Sequence, residues 1–131
     1  MRAVELGTPG EMRSRLNALV RGGAKQATAL RVSDYAEDGE EMEHVGEQLA
    51  LLDDDGIRIA TLEVTAVDVR RLADVSWEFA QREGEDFTSI EDWRTKHADF
   101  WSGFGDPVTD ETPIACIEFR VVDPAEIGSG R

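Results

Sequence analysis

"IRIATLEVTAVDV", residues 57–69, reads as one long strand whose in–out alternation changes phase between Val64 and Val67. A β-bulge at that point turns a strand, as a sheet curling into a small barrel requires. Upstream, "QLALLD" (48–53) is a second strand, joined to the first by the turn "DDDG" (53–56). Downstream, "PIACIEFRVV" (113–122) is a third, with Ala115, Ile117, Phe119 and Val121 alternating against Cys116, Glu118 and Arg120. "ATALRV" (27–32) is a short strand, and residues 1–7 form an opening strand or arm.

Helices fall between these strands. Met12, Leu16, Leu19 and Val20 make one apolar stripe. Thr8, Pro9 and Glu11 read as the start signal of that helix, and Gly22 and Gly23 as its stop. "VSWEFAQRE" (75–83) is helix-like and ends at Gly84. "TSIEDWRTKHADFW" (88–101) is the clearest helix, with a Thr88–Glu91 capping box and Ile90, Trp93, His97, Phe100 and Trp101 on one face. "SDYAEDGEEMEHVGE" (33–47) lacks periodicity and is long for a connection, which suggests a binding loop or lid. Helices segregated from a mostly antiparallel, curled sheet give an α+β fold.

With 131 residues the chain is sized for one domain and one core. Its 28 acidic against 14 basic residues leave a net charge of −14, which repels long polyanions. DNA, non-specific RNA and anionic membrane surfaces are therefore poor partners. A small ligand, or a short segment in a local basic pocket, fits better. No apolar run spans a bilayer and no signal peptide opens the chain, so a cytoplasmic location is expected. The single cysteine, Cys116, lies in an apolar run and is expected to be a buried, inert thiol.

Most local chemistry is excluded by spacing. His44 and His97 have no partner spacing for a metal, and "DDDG" lacks the later glutamate of a calcium loop. No metal or cofactor is expected. "GGAK" (22–25) has the wrong spacing for a phosphate loop. Trp93, His97, Phe100 and Trp101 read first as core residues of their helix. Glu83 is anomalous, because an acid at a helix C-terminus opposes the helix dipole. Lys25 and Thr28, three residues apart after two glycines, are the pair with chemical potential. A desolvated lysine can act as a base and a threonine hydroxyl within its reach as a nucleophile.

"GGAKQAT" (22–28) resembles the G-x-K-x-x-[ST] signature of ASCH domains. The order of the rest agrees. "DYAEDGEEMEHVGEQLALLDDDG" (34–56), "FAQREGED" (79–86), "WRTKHADFW" (93–101) and "TPIACIEFRVV" (112–122) are similar to successive parts of a longer ASCH branch, from about residue 5 to residue 122. The resemblance implies a PUA-like fold, a small mostly antiparallel β-barrel with flanking helices, over residues 1–123, followed by a flexible tail at 124–131. It also implies one of two functions. The first is a metal-independent amidohydrolase acting on an N4-acetylcytidine-like nucleoside or a similar small amide. The second is an RNA-binding module, with or without ribonuclease activity. In the hydrolase reading Thr28 attacks the acyl carbonyl, Lys25 takes its proton, and Glu83 holds the lysine. Gly23, Ala24, Tyr35, Trp93, Arg94 and His97 are the expected substrate-binding residues, with backbone N–H groups at 23–25 facing the oxyanion. Expected partners are a free nucleoside or a short RNA segment, on a monomer or homodimer. A regulatory role for the acidic stretch 36–47 is a third reading.

Overall fold

The computed structural model describes residues 1–105 and 107–122, so the tail expected at 124–131 lies outside the described residues. The elements, in order, are β1 (Arg2–Val4), α1 (Glu11–Arg21), β2 (Ala27–Arg31), α2 (Val32–Glu37), β3 (Gln48–Leu52), β4 (Arg58–Arg71), a 3-10 turn (Leu72–Asp74), α3 (Trp77–Arg82), α4 (Ile90–Ser102) and β5 (Pro113–Val121). The strands form one sheet in the order β1-β3-β4-β5-β2. β1 runs parallel to β3 and every other pairing is antiparallel.

β4 shapes the sheet. Its pairing with β5 shifts register between Val64 and Ala66, where the sequence changes phase. One extra residue there increases the twist and bends the strand. The result is a half-barrel: among the described residues β1 and β2 are edge strands that do not pair with each other. A slot remains between them.

Two cores form on the two faces. Leu16 and Val20 of α1 pack with Leu49, Leu51, Leu62, Val64, Ile117 and Phe119. Phe79 and Ala80 of α3 and Trp93 and Trp101 of α4 pack with Ala27, Ile114 and Cys116. Cys116 is buried, as its apolar run suggested. Ile114 through Ile117 are all buried, because α3 and α4 cover the second face, and Arg120 is exposed beyond them. Burial pushes the Cys116 thiol up to about 12, which keeps it protonated at neutral pH.

Three local expectations also change. α1 starts at Glu11 with Gly10 as N-cap and no side-chain cap, so Thr8 is not the capping residue. The cap of α4 is Ser89, whose hydroxyl accepts from the Asp92 N–H, while Asp92 accepts from the Thr88 N–H. The box is thus one residue later than Thr88–Glu91 and uses aspartate. The stretch 33–47 is not all loop, since its first part is α2, which turns Tyr35 inward.

A close backbone contact joins the two halves of the chain. After α1, the Lys25 N–H donates to the Leu19 carbonyl (3.0 Å) and the Gln26 N–H to the Arg82 carbonyl at the end of α3 (2.7 Å). Gly84 lies against this loop at φ +68°, and a Cβ there would sit 2.2 Å from the Ala24 carbonyl oxygen. Only glycine allows that approach. Gly84→Ala is expected to destabilise the fold by more than about 2 kcal/mol, from strain plus clash. Gly23→Ala, also at positive φ but in open space, is expected to cost about 1 kcal/mol. Denaturant unfolding of both variants checks this; equal costs would show that the contact is not tight.

Candidate functional site

The contact between loop 22–26 and α3 brings Lys25 to Glu83. Lys25 is 2% exposed and its Nζ donates to Glu83 Oε2 at 3.3 Å and to Glu85 Oε2 at 2.8 Å. Glu83, also 2% exposed, is the C-cap of α3. Its other oxygen, Oε1, accepts from the Trp93 indole N–H at 2.7 Å and lies 3.2 Å from His97 Nε2. A carboxylate opposing a helix dipole in an apolar interior is thus surrounded by donors. Burial pushes the Glu83 carboxyl up, but Lys25, His97 and Trp93 together outweigh it and hold the group below the usual carboxylate range.

α4 supplies the second half of the site. Trp93 and His97 are one helical turn apart, and their rings stack with centroids 4.1 Å apart and planes at 23°. Trp101 meets His97 edge-on at 5.3 Å. His97 Nδ1 lies 2.9 Å from the Trp93 carbonyl, which can only accept, so the hydrogen is assigned to Nδ1. Nε2 then faces a carboxylate oxygen.

These groups stand at the wall of a cavity of about 440 Å3. Lys25, Thr28, Glu83, Glu85 and His97 all line it, with Phe87, Phe100 and Trp101 as apolar walls. Thr28 is half-buried on β2, opposite Ile117 of β5, and reaches both this cavity and the slot between β1 and β2.

The other expected residues are placed differently. Trp93 is fully buried and serves Glu83 rather than the cavity surface. Arg94 donates to the carbonyls of Leu72, Ala73 and Val75, which pins the 3-10 turn to α4, and it does not line the cavity. Gly23 and Ala24 are exposed and also lie outside the lining. The Ala24 carbonyl faces Gly84. Tyr35 lines the neighbouring slot, where its hydroxyl donates to Glu43 at 2.6 Å. Burial, then the Glu43 hydrogen bond and charge, pushes that phenol above its ordinary range.

Sequence reasoning missed Glu85, the nearer of the two carboxylates on Lys25. The alternation Glu83–Gly84–Glu85 was its signal: a glycine turn between two acids can aim both at one cation. It also missed Glu43, the buried partner of Tyr35.

Comparison with known proteins gives one consistent result. The family model for the ASCH domain matches residues 2–123. A solved structure of a protein from Enterococcus faecalis superposes with a TM-score of 0.83 at 26% identity, covering 99% of this chain and 82% of that one. The solved ASCH domain from Lactobacillus crispatus gives 0.79 at 25% identity, covering 92% of this chain and 78% of that one. An ASCH protein from Zymomonas mobilis shares the fold alone, with a TM-score of 0.56 at 9% identity, covering 99% of this chain and 78% of that one. No curated protein sequence matches. The signature lysine and threonine, the half-barrel and a family match over nearly the whole length agree: the chain belongs to the ASCH domain family.

Proposed function

We propose that this protein is an amidohydrolase for a small uncharged amide, with an N4-acylated cytosine nucleoside as the preferred class. One observation carries the reading: a buried lysine held by two carboxylates lines the same cavity as Thr28. The volume of about 440 Å3 suits a small-molecule site.

Desolvation alone does not prepare Lys25 as a base, because its Nζ is hydrogen-bonded to both glutamates. The proton has to be passed on. In the proposed cycle Thr28 Oγ attacks the acyl carbon and a C–O bond forms. Nζ accepts the hydroxyl proton as it hands one of its own to Glu85. The C–N bond then breaks, and the relay returns that proton to the leaving amine. Water repeats the sequence on the threonine ester and releases the acid. Glu83, fixed by Trp93 and His97, keeps Nζ at its place in the cavity wall.

The RNA-binding alternative is weaker on electrostatic grounds. A basic stripe on this chain would have to draw on Arg21, Lys25, Arg31, Arg70 and Arg71. Of these, Lys25 pairs with Glu83 and Glu85, Arg31 with Asp34, Arg70 with Asp68, and Arg71 with Asp74 and Glu111. A cation already matched to a carboxylate has little to offer a phosphate backbone.

Incubating the protein with N4-acetylcytidine and following cytidine release tests the proposal. Thr28→Val is expected to lower kcat by about 10³-fold or more and Lys25→Met by about 10²–10⁴-fold. Wild-type protein that leaves every N4-acylated cytidine intact, or a Thr28→Val variant with full turnover, would overturn it.

Acid stability reads the same network. The folded-state pKa of Glu83 lies below its unfolded value of about 4.5, so its stabilisation is complete above that pH and is lost as pH falls toward the folded value. Glu83→Gln is expected to cost about 1–3 kcal/mol at pH 7, because the Trp93 indole and Lys25 lose a charged acceptor while Glu85 still pairs Lys25. It should also flatten the fall in stability below about pH 4.5. Thermal melts of both proteins from pH 7 to pH 3 decide it; parallel acid limbs would mean that Glu83 is not ionised in the folded protein.

A further inference from the structure

The slot between β1 and β2 is a second cavity, of about 450 Å3, that shares Thr28, Ala29, Phe100 and Trp101 with the lining of the first. Residues 2–7 form one wall and residues 28–31 the other, with Leu62, Ile117 and Phe119 among its apolar residues. Arg31 lines it and is only 6% exposed. Its Nε and Nη2 donate to Asp34 at 3.3 and 2.7 Å. Nη1 is buried and, among the described residues, has no hydrogen-bond partner. An orphaned donor on a buried guanidinium is costly, and native structures rarely keep one without a use for it.

The surroundings of Arg31 narrow what that use is. Asp34 already matches the guanidinium charge through two hydrogen bonds. Asp38, Glu40, Glu43 and Glu5 also line the slot, against Arg2 as the other cation. A phosphate or carboxylate entering there would meet net negative charge. A neutral carbonyl oxygen can take the Nη1 hydrogen without that repulsion. Tyr35 offers a complementary contact. Its hydroxyl hydrogen is committed to Glu43, so its oxygen can accept from a ligand N–H or O–H.

We infer that this slot is the subsite for the uncharged, carbonyl-bearing part of the ligand, and that Arg31 recognises its carbonyl oxygen through Nη1. A pyrimidine nucleoside has such a carbonyl, and its acyl group would reach the Lys25–Thr28 cavity across Thr28. The identity of the occupant rests on the hydrolase reading; the subsite itself does not.

Cytidine is the probe, since it carries the ring carbonyl and cannot be deacylated. Calorimetry on the full chain should show binding that weakens about tenfold in Arg31→Lys, which keeps a cation for Asp34 but lacks the second N–H group. Arg31→Lys should melt within about 3 °C of wild type, in keeping with a loss of binding rather than of fold. Should it unfold, the wild-type protein still decides: cytidine should bind at least about fivefold tighter than cytidine 5′-monophosphate, because of the acidic lining. No binding of cytidine by wild type up to about 10 mM, equal binding by folded Arg31→Lys, or tighter binding of the monophosphate would each overturn the inference. Arg31-dependent cytidine binding without turnover of N4-acetylcytidine would sink the hydrolase reading alone. Turnover with Arg31-independent binding would sink only the subsite.

Discussion

The buried carboxylate of Glu83 is the constraint around which the site is built. Taking an isolated carboxylate out of water costs several kcal/mol even after the protein relaxes. This one lies at the wrong end of a helix for the dipole to help. The fold answers with Lys25 on one oxygen and with Trp93 and His97 on the other. Those partners come from three places: the loop after α1, the first turn of α4, and the next turn of α4. None would be held there without the others. The 2.7 Å bond from the Gln26 N–H to the Arg82 carbonyl and the bare backbone of Gly84 against Ala24 set the approach of the loop. The stack of His97 on Trp93 fixes the angle of the imidazole.

The curl of the sheet determines what this network can serve. The register shift between Val64 and Ala66 bends β4 over the α1 core. A closed barrel would pair β1 with β2 and satisfy both edges. Here they stay apart, and the gap becomes the slot. Exposed strand edges are a liability that proteins usually cover. This one is narrow, β1 is only three residues long, and acidic side chains line the opening. Those same features work against a second chain pairing there. Thr28, on the β2 edge, lines both the slot and the lysine cavity.

Much of this could be read from the sequence, for definite reasons. The phase change near Val64 is a periodicity signal, and it survived because the bulge is local to one strand. Lys25 stood out for the two glycines before it and the threonine three residues after it, and Glu83 as an acid at a helix end. What was not legible depends on contacts between distant segments. The apolar run of β5 pointed to a buried Cys116, but nothing in the strand itself shows that α3 and α4 are what cover Ile114 and Cys116. Arg94 lies beside the site on the helix, yet its guanidinium turns to three carbonyls of the 3-10 turn. α2 was hidden because its six residues are too few to display a helical period.

The net charge of −14 becomes intelligible once the cations are followed to their partners. A protein this acidic cannot rely on long-range attraction to gather a polyanion. Near the cleft, Lys25 is shared by two glutamates, Arg31 is bound to Asp34, and Arg2 lies among Glu40, Glu43 and Glu47. These three positive groups are already matched before any ligand arrives. On the proposed reading, such a cleft selects by hydrogen-bond geometry and by exclusion of negative charge rather than by attraction. An uncharged amide meets both conditions: its carbonyl can take a donor whose charge is already balanced, and it brings no charge for the surrounding carboxylates to repel. The acidic composition that argues against nucleic-acid binding is thus the same property that makes a neutral ligand the better fit.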